Sequence, residues 1–112
     1  MKNSHRQRPP KGKLSKEARK YWNHFVDGWE LDNAALLILL SALESFDRMR
    51  EAQAIIAKEG LIILDRFDQK KPHPCTFIER DSRMAMLRAL KHLNLDLEPL
   101  QEGLGRPKEG IY

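Results

Sequence analysis

The side chains best suited to chemistry in this 112-residue chain are basic, and they cluster in its first twenty residues. Eight basic side chains stand there against one carboxylate, Glu17, whereas the other 92 residues carry 12 basic and 15 acidic side chains. Concentrated positive charge attracts polyanions, and Lys and Arg neutralise nucleic-acid phosphates. The residues expected to contact phosphates are Lys2, Arg6, Arg8, Lys11, Lys13, Lys16, Arg19 and Lys20, with Lys70 and Lys71 as secondary candidates.

Residues 1–13 cannot add to a hydrophobic core, because they contain two prolines, a glycine and no large apolar side chain after Met1. We predict a flexible basic arm, with a merely solubilising tail as the alternative. Trp22 and Phe25 match the core face of a helix and do not alternate with basic residues as stacking platforms do. The sequence therefore favours double-stranded over single-stranded DNA.

Residues that could support catalysis or bind a metal are present, but their spacing is unfavourable. His73 and Cys75 flank Pro74, yet a structural zinc site needs four ligands and no second pair lies at a suitable spacing. The carboxylates that could hold two metal ions are Asp65, Asp68, Glu79 and Asp81. Most of these fall in turns or on polar helix faces, which favours a solvated surface. The phosphate-loop pattern GxxxxGK[ST] is absent, so we predict no enzymatic activity, no cofactor and no metal site.

Helix start and stop signals predict the elements that position the basic residues. Ser15 is a suitable N-cap for a first helix over residues 16–26. Asp32 is a suitable N-cap for a long second helix over residues 33–59, and Gly60 supplies its stop signal.

The long second helix has two apolar stripes. One stripe follows steps of four and three residues: Ile38, Ala42, Ser45, Met49, Ala52 and Ile56. The other lies in its first half: Leu36, Leu39, Leu40, Leu43 and Phe46. A helix that is apolar over such a wide arc needs more than one partner. The other two helices could cover the arc, or part of it could meet a neighbouring subunit.

The chain between the second and third helices has the pattern of a hairpin. A short apolar run at 61–64, turn residues at 65–69 and two lysines before Pro72 predict a β-hairpin or protruding loop over residues 61–72. A third helix begins at Pro74 or Thr76 and runs to about Leu93. Its predicted core face is Ile78, Ser82, Ala85, Met86, Ala89, Leu90 and Leu93.

Together these elements predict a mainly all-α fold. It has a three-helix core with one long central helix, a short β-hairpin or loop between helices two and three, and the flexible basic arm. The predicted organisation is an arm at 1–13, a helical core and oligomerisation domain at 14–99, and a C-terminal tail at 100–112. A single cysteine, no leader pattern and no long apolar run predict a cytoplasmic protein without a membrane span.

The order of several segments resembles the phage terminase small subunits of the prophage type. These segments are LSKEARKYWNHFV at 14–26, LD at 31–32, a long helix ending AKEG at 57–60, a short hairpin, KPHP at 71–74, and LKHLNLDLEP at 90–99. The resemblance covers residues 14–99 and rests on order and spacing.

The resemblance implies a helical, ring-forming homo-oligomer. Members of this family bind viral DNA at the packaging site in the bacterial host and recruit the large terminase subunit. That subunit carries the ATPase motor and the nuclease, in agreement with the absence of both patterns here. A ring would also multiply weak phosphate contacts, one arm per chain.

Two alternatives remain open at the level of sequence. The chain could be a dimeric phage or plasmid transcriptional regulator that places Arg80, Arg83 and Arg88 of the third helix in the major groove. The 27-residue second helix is too long for the recognition helix of a helix-turn-helix motif. The chain could also be a helical adaptor that does not bind DNA.

Overall fold

A computed structural model describes residues 13–94 and contains three helices joined through one β-hairpin. The elements are α1 Lys16–Gly28, α2 Asn33–Glu59, β1 Ile62–Leu64, β2 Lys70–Pro72 and α3 Pro74–Leu93. The predicted mainly helical fold, with a long central helix and a hairpin before the third helix, is therefore confirmed. Residues 1–12 of the predicted arm, the end of the predicted core at 95–99 and the tail at 100–112 lie outside the described residues.

The first two helices begin at the predicted caps. The Ser15 hydroxyl accepts a hydrogen bond from the Ala18 N–H at 3.0 Å, and Asp32 Oδ1 accepts one from the Ala35 N–H at 2.8 Å. Each contact satisfies a backbone donor that the first turn of a helix leaves free. The Gly60 backbone has a φ of 91° at the end of α2, a conformation that side chains with a Cβ rarely adopt. α1 extends to Gly28, two residues beyond the predicted end.

The hydrophobic core lies where α1 and α3 pack on the first half and middle of α2. Its buried members are Leu14, Ala18, Trp22, Leu39, Leu43, Phe46 and Met49. Met86, Leu90 and Leu93 of α3 pack against this cluster. Both predicted stripes of α2 supply buried residues, so the other two helices of the same chain cover much of the wide apolar arc.

α3 runs antiparallel to α2. Near the hairpin, His73 Nε2 lies 2.7 Å from Glu59 Oε1. About 1.7 helical turns further along, the Gln53 side-chain amide donates to Glu79 Oε2 at 3.1 Å. The C-terminal half of α3 packs on the core cluster, so successive contacts along α3 meet α2 progressively closer to its N-terminus.

A five-residue turn closes the hairpin. Asp65 Oδ1 accepts hydrogen bonds from the N–H groups of Phe67 at 2.8 Å and Gln69 at 2.9 Å. Asp68 has a φ of 62°, in the left-handed region that Asp tolerates better than most residues. Asp65 therefore acts as the structural acceptor around which the turn folds. Over residues 13–94, no helix has the length and apolar character needed to cross a membrane.

Candidate nucleic-acid interface

The basic residues at the beginning of α1 form an exposed group, which we call the α1 basic cluster: Lys13, Lys16, Arg19 and Lys20. Lys16 and Lys20 are four residues apart, so their side chains lie on the same side of the helix. Within residues 13–94, neither of these two lysines forms an ion pair. Their ammonium groups are therefore available to bind an external anion.

The α1 basic cluster is attached to the middle of α2. The Ser15 N–H donates to Asp47 Oδ2 at 2.8 Å, and the Ser15 hydroxyl donates to Asp47 Oδ1. Leu14 is buried in the core beside this contact. The last residues before α1 are consequently held in place on α2.

Glu17 is the only acidic residue among the first twenty, and it is already paired. Its carboxylate lies 3.4 Å from the Arg50 guanidinium of α2. The Arg19 guanidinium donates to the Leu14 carbonyl at 3.0 Å, which uses one of the five donors of that group. Glu17, the one carboxylate near the cluster in sequence, therefore does not neutralise its positive charge.

An open groove lies between the beginning of α1 and α2, but it has no net charge. Its basic lining residues are Lys13, Lys16, Arg48 and Arg50. Its acidic lining residues are Glu17, Glu44, Asp47 and Glu51. A groove with balanced charge does not concentrate phosphate. Lys13 and Lys16 border this groove, whereas Arg19 and Lys20 do not line it, so the side of the α1 basic cluster away from the groove is the better candidate for contact with DNA.

The two secondary candidates lie in a different part of the molecule. Lys70 and Lys71 are exposed on β2. The hairpin follows Gly60, which is 13 residues beyond Asp47 and thus about 20 Å further along the axis of α2. The structure therefore does not bring the hairpin lysines together with the α1 basic cluster. Two separate basic surfaces result.

Three of the four carboxylates considered as metal ligands have structural partners: Asp65, Glu79 and Asp81. Hydrogen bonds from the backbone of Gln69, then of Phe67, and the charge of Lys71 hold the pKa of Asp65 below its ordinary value. Arg83 and then Gln53 lower the pKa of Glu79. Asp81 pairs with Arg80 at 3.1 Å, and Asp68 occupies the hairpin turn. Within residues 13–94, no group of three His, Cys, Asp or Glu side chains could hold a metal ion.

The arginines that a regulator would use to read bases are partly engaged. Arg83 donates to both oxygens of Glu79, at 2.9 and 3.1 Å, and Glu79 is also bound to α2 through Gln53. Arg80 donates to Asp81. Contact of Arg80 or Arg83 with bases would require these pairs to break, whereas Arg88 is exposed and forms no ion pair within residues 13–94.

Sequence reasoning missed two features, of which the first is the role of His73. This side chain is buried and forms the N-cap of α3: its Nδ1 accepts a hydrogen bond from the Cys75 N–H at 2.9 Å. Histidine is not a usual N-cap residue, and its second contact, with Glu59, depends on tertiary structure. No local signal could have revealed it.

The second missed feature is the exposure of the hairpin. The sequence predicted a β-hairpin or protruding loop over residues 61–72 but did not indicate which of its apolar side chains are covered. Most of the large side chains in the run at 61–64 face solvent, as does the aromatic ring at the turn. The run itself was visible in the sequence, but its position beyond the end of the helical core was not.

Comparison with protein-family models, with curated proteins and with solved structures finds no match for this chain. The resemblance to terminase small subunits stays a prediction that rests on the order of its segments.

Proposed function

We propose that this chain is the small subunit of a phage terminase. In this proposal it binds double-stranded viral DNA at the packaging site as a homo-oligomeric ring and recruits the large terminase subunit. It acts in the bacterial host cytoplasm and has no catalytic activity of its own. The observation that carries the DNA-binding part is the exposed α1 basic cluster, which continues the basic segment before it and is held on α2 by Asp47.

Phosphate contacts of this kind provide affinity without sequence selectivity. A single arm binds weakly, whereas several arms in one oligomer bind the same duplex together and gain avidity. Recognition of the packaging site therefore needs assembly as well as charge. The segment order that resembles terminase small subunits supports the same combination of features.

Removal of residues 1–13 tests the DNA-binding part. The deletion leaves Leu14 and Ser15, so the core and the contact with Asp47 are preserved. It removes five basic side chains. If each contacts one phosphate, the slope of log K against log salt falls by about 4.5 per chain.

Two full-length variants serve as matched controls for the deletion. In one, the five basic residues are replaced by Gln, and we expect it to behave like the deletion. In the other, each Lys is exchanged for Arg and each Arg for Lys, and we expect it to keep the affinity and slope of the original chain. Unchanged duplex binding after the deletion would contradict the proposal.

A further inference from the structure

The largest concentration of exposed apolar side chains in the described residues is on the β-hairpin. Its members, with their exposed fractions, are Leu61 at 62%, Ile62 at 55%, Leu64 at 59% and Phe67 at 71%. Clustered apolar surface of this kind marks an interaction site more often than isolated exposed residues do. The hairpin is therefore a candidate interaction surface.

One face of the hairpin combines apolar and basic character. The strand register places Ile62 opposite Pro72 and Leu64 opposite Lys70. Residues directly opposite each other in an antiparallel pair project from the same face, and all four of these are exposed. Within residues 13–94 the sheet has only these two strands, and an isolated two-stranded hairpin is marginally stable.

The chain itself contains a segment with complementary chemistry. Residues 95–100, beyond the described region, read LDLEPL, in which Leu95 and Leu97 alternate with Asp96 and Glu98. Alternation with a period of two gives a strand one apolar and one acidic face. The hairpin offers apolar side chains together with the cations Arg66, Lys70 and Lys71. Apolar and charge patterns therefore match.

This segment cannot reach the hairpin of its own chain. It follows Asn94 at the C-terminal end of α3, and the hairpin precedes Pro74 at the other end. The 20 residues of α3 separate the two by about 30 Å. Six extended residues span at most about 20 Å. Only a second molecule can place residues 95–100 on the hairpin.

We propose that the hairpin is the docking site for residues 95–100 of a second copy of this chain. As a strand added at the edge of the hairpin, the segment places its leucines beside Ile62 and Leu64 and its carboxylates on the opposite face, which carries Lys71. This interaction gives the hairpin lysines a protein partner rather than phosphate. The inference rests on the homo-oligomer in the proposed function, and it names the surface that forms that oligomer; it does not depend on DNA binding.

Such a contact joins two different surfaces, one at each end of the α2–α3 pair. Contacts between unlike surfaces repeat from molecule to molecule and form closed rings when the rotation between neighbours permits. A six-residue segment on one hairpin is a small interface. Closure of a ring strengthens it, because every molecule is then held twice.

Three single substitutions test the docking site in the full chain, with molar mass measured by light scattering in the absence of DNA. Ile62→Asp alters the hairpin and Leu97→Asp alters the docking segment. Leu37→Asp is the matched control, since Leu37 is also highly exposed (69%) but lies in the first turns of α2. We expect the first two variants to be monomers and the control to keep the mass of the original oligomer. Helix content by circular dichroism checks that all three are folded.

Mixing the two monomeric variants provides the decisive observation. Each variant keeps the surface that the other has lost, so an equimolar mixture contains one intact hairpin and one intact segment per pair. We expect heterodimers in the mixture and none in either variant alone. The heterodimer is held by one contact only, so the mixture is measured up to the highest soluble concentration; a mixture that stays monomeric there would contradict the inference.

The remaining outcomes separate the inference from the proposed function. If the original chain is an oligomer and Ile62→Asp leaves its mass unchanged, another partner covers the hairpin and the inference alone is wrong. If the original chain is monomeric at every concentration, both the inference and the oligomer of the proposed function are wrong. Deletion of residues 1–13 should leave the number of chains per oligomer unchanged, because we assign the arm to DNA binding and not to assembly.

Discussion

His73 links the two long helices and the hairpin, and its removal is the most informative test of the fold. The imidazole is buried, with only 6% of the residue exposed. Its Nδ1 caps α3 and its Nε2 contacts Glu59 at 2.7 Å. The accepted bond at Nδ1 assigns the ring proton to Nε2, which then donates to the carboxylate.

The cost of His73→Ala can be worked from these contacts. Loss of an N-cap costs about 1 kcal/mol. The Glu59 side chain is 54% exposed, so its hydrogen bond contributes at the low end, about 0.5–1 kcal/mol. Loss of the buried ring packing adds about 1 kcal/mol. We expect a total of about 2.5–3 kcal/mol, which lowers the midpoint of thermal unfolding by about 10–24 °C for a domain of this size.

Two further variants separate the cap from the contact with α2. Asn is a preferred N-cap residue, so His73→Asn should recover about 1 kcal/mol relative to His73→Ala. Glu59→Ala removes only the exposed partner and should cost less than about 1 kcal/mol. Urea unfolding monitored by circular dichroism measures all three. A loss below about 0.5 kcal/mol in His73→Ala, or equal losses in the Ala and Asn variants, would refute this account of His73.

Three further predictions concern the attachment of α1 to α2, the ion pair of Glu79 on α3, and the α1 basic cluster. Asp47→Ala removes both contacts with Ser15 and should lower the free energy of unfolding by about 1–2 kcal/mol in urea titrations, whereas an unchanged value would contradict the attachment. The hydrogen bond from Arg83 is the main cause of the lowered pKa of Glu79, so at this site the unfolded chain binds more protons than the folded one. The stability that this pair contributes is present above the unfolded pKa of 4.5 and is lost as pH falls through the lower folded pKa. Glu79→Gln should therefore flatten the acid limb of a plot of stability against pH, and an unaltered limb would argue against the ion pair. Replacement of Lys16 and Lys20 by Gln should reduce the salt slope of duplex binding by about 1.8 per chain, and an unchanged slope would exclude these lysines from the interface.

Local signals were sufficient to predict most of the helical fold. Ser15, Asp32 and Gly60 act within one turn of their helices, so their roles can be seen in a short stretch of sequence. The hairpin was predicted for the same reason, because its turn residues and apolar run are adjacent. Caps and turns depend on neighbours in sequence, which is why these predictions were confirmed.

Features that depend on distant residues could not be predicted. His73 contacts Glu59 only after α3 has folded back along α2. Its cap of the Cys75 N–H is local, but histidine is not a usual N-cap residue. The pair of Glu79 with Arg83 is local, since the two residues are four apart on α3, but the hydrogen bond from Gln53 that joins Glu79 to α2 depends on the packing of the two helices. The basic cluster was predicted from charge alone, but its attachment through Asp47 required the packing of α1 on α2.

The central claim is that this chain is a DNA-binding oligomer. Native mass spectrometry of the full chain, with and without a duplex, tests it most directly. We predict a single oligomer larger than a dimer in the absence of DNA, and an increase by the mass of one duplex when DNA is added at low salt. A chain that is monomeric or dimeric, or an oligomer that binds no duplex at low salt, would contradict the claim.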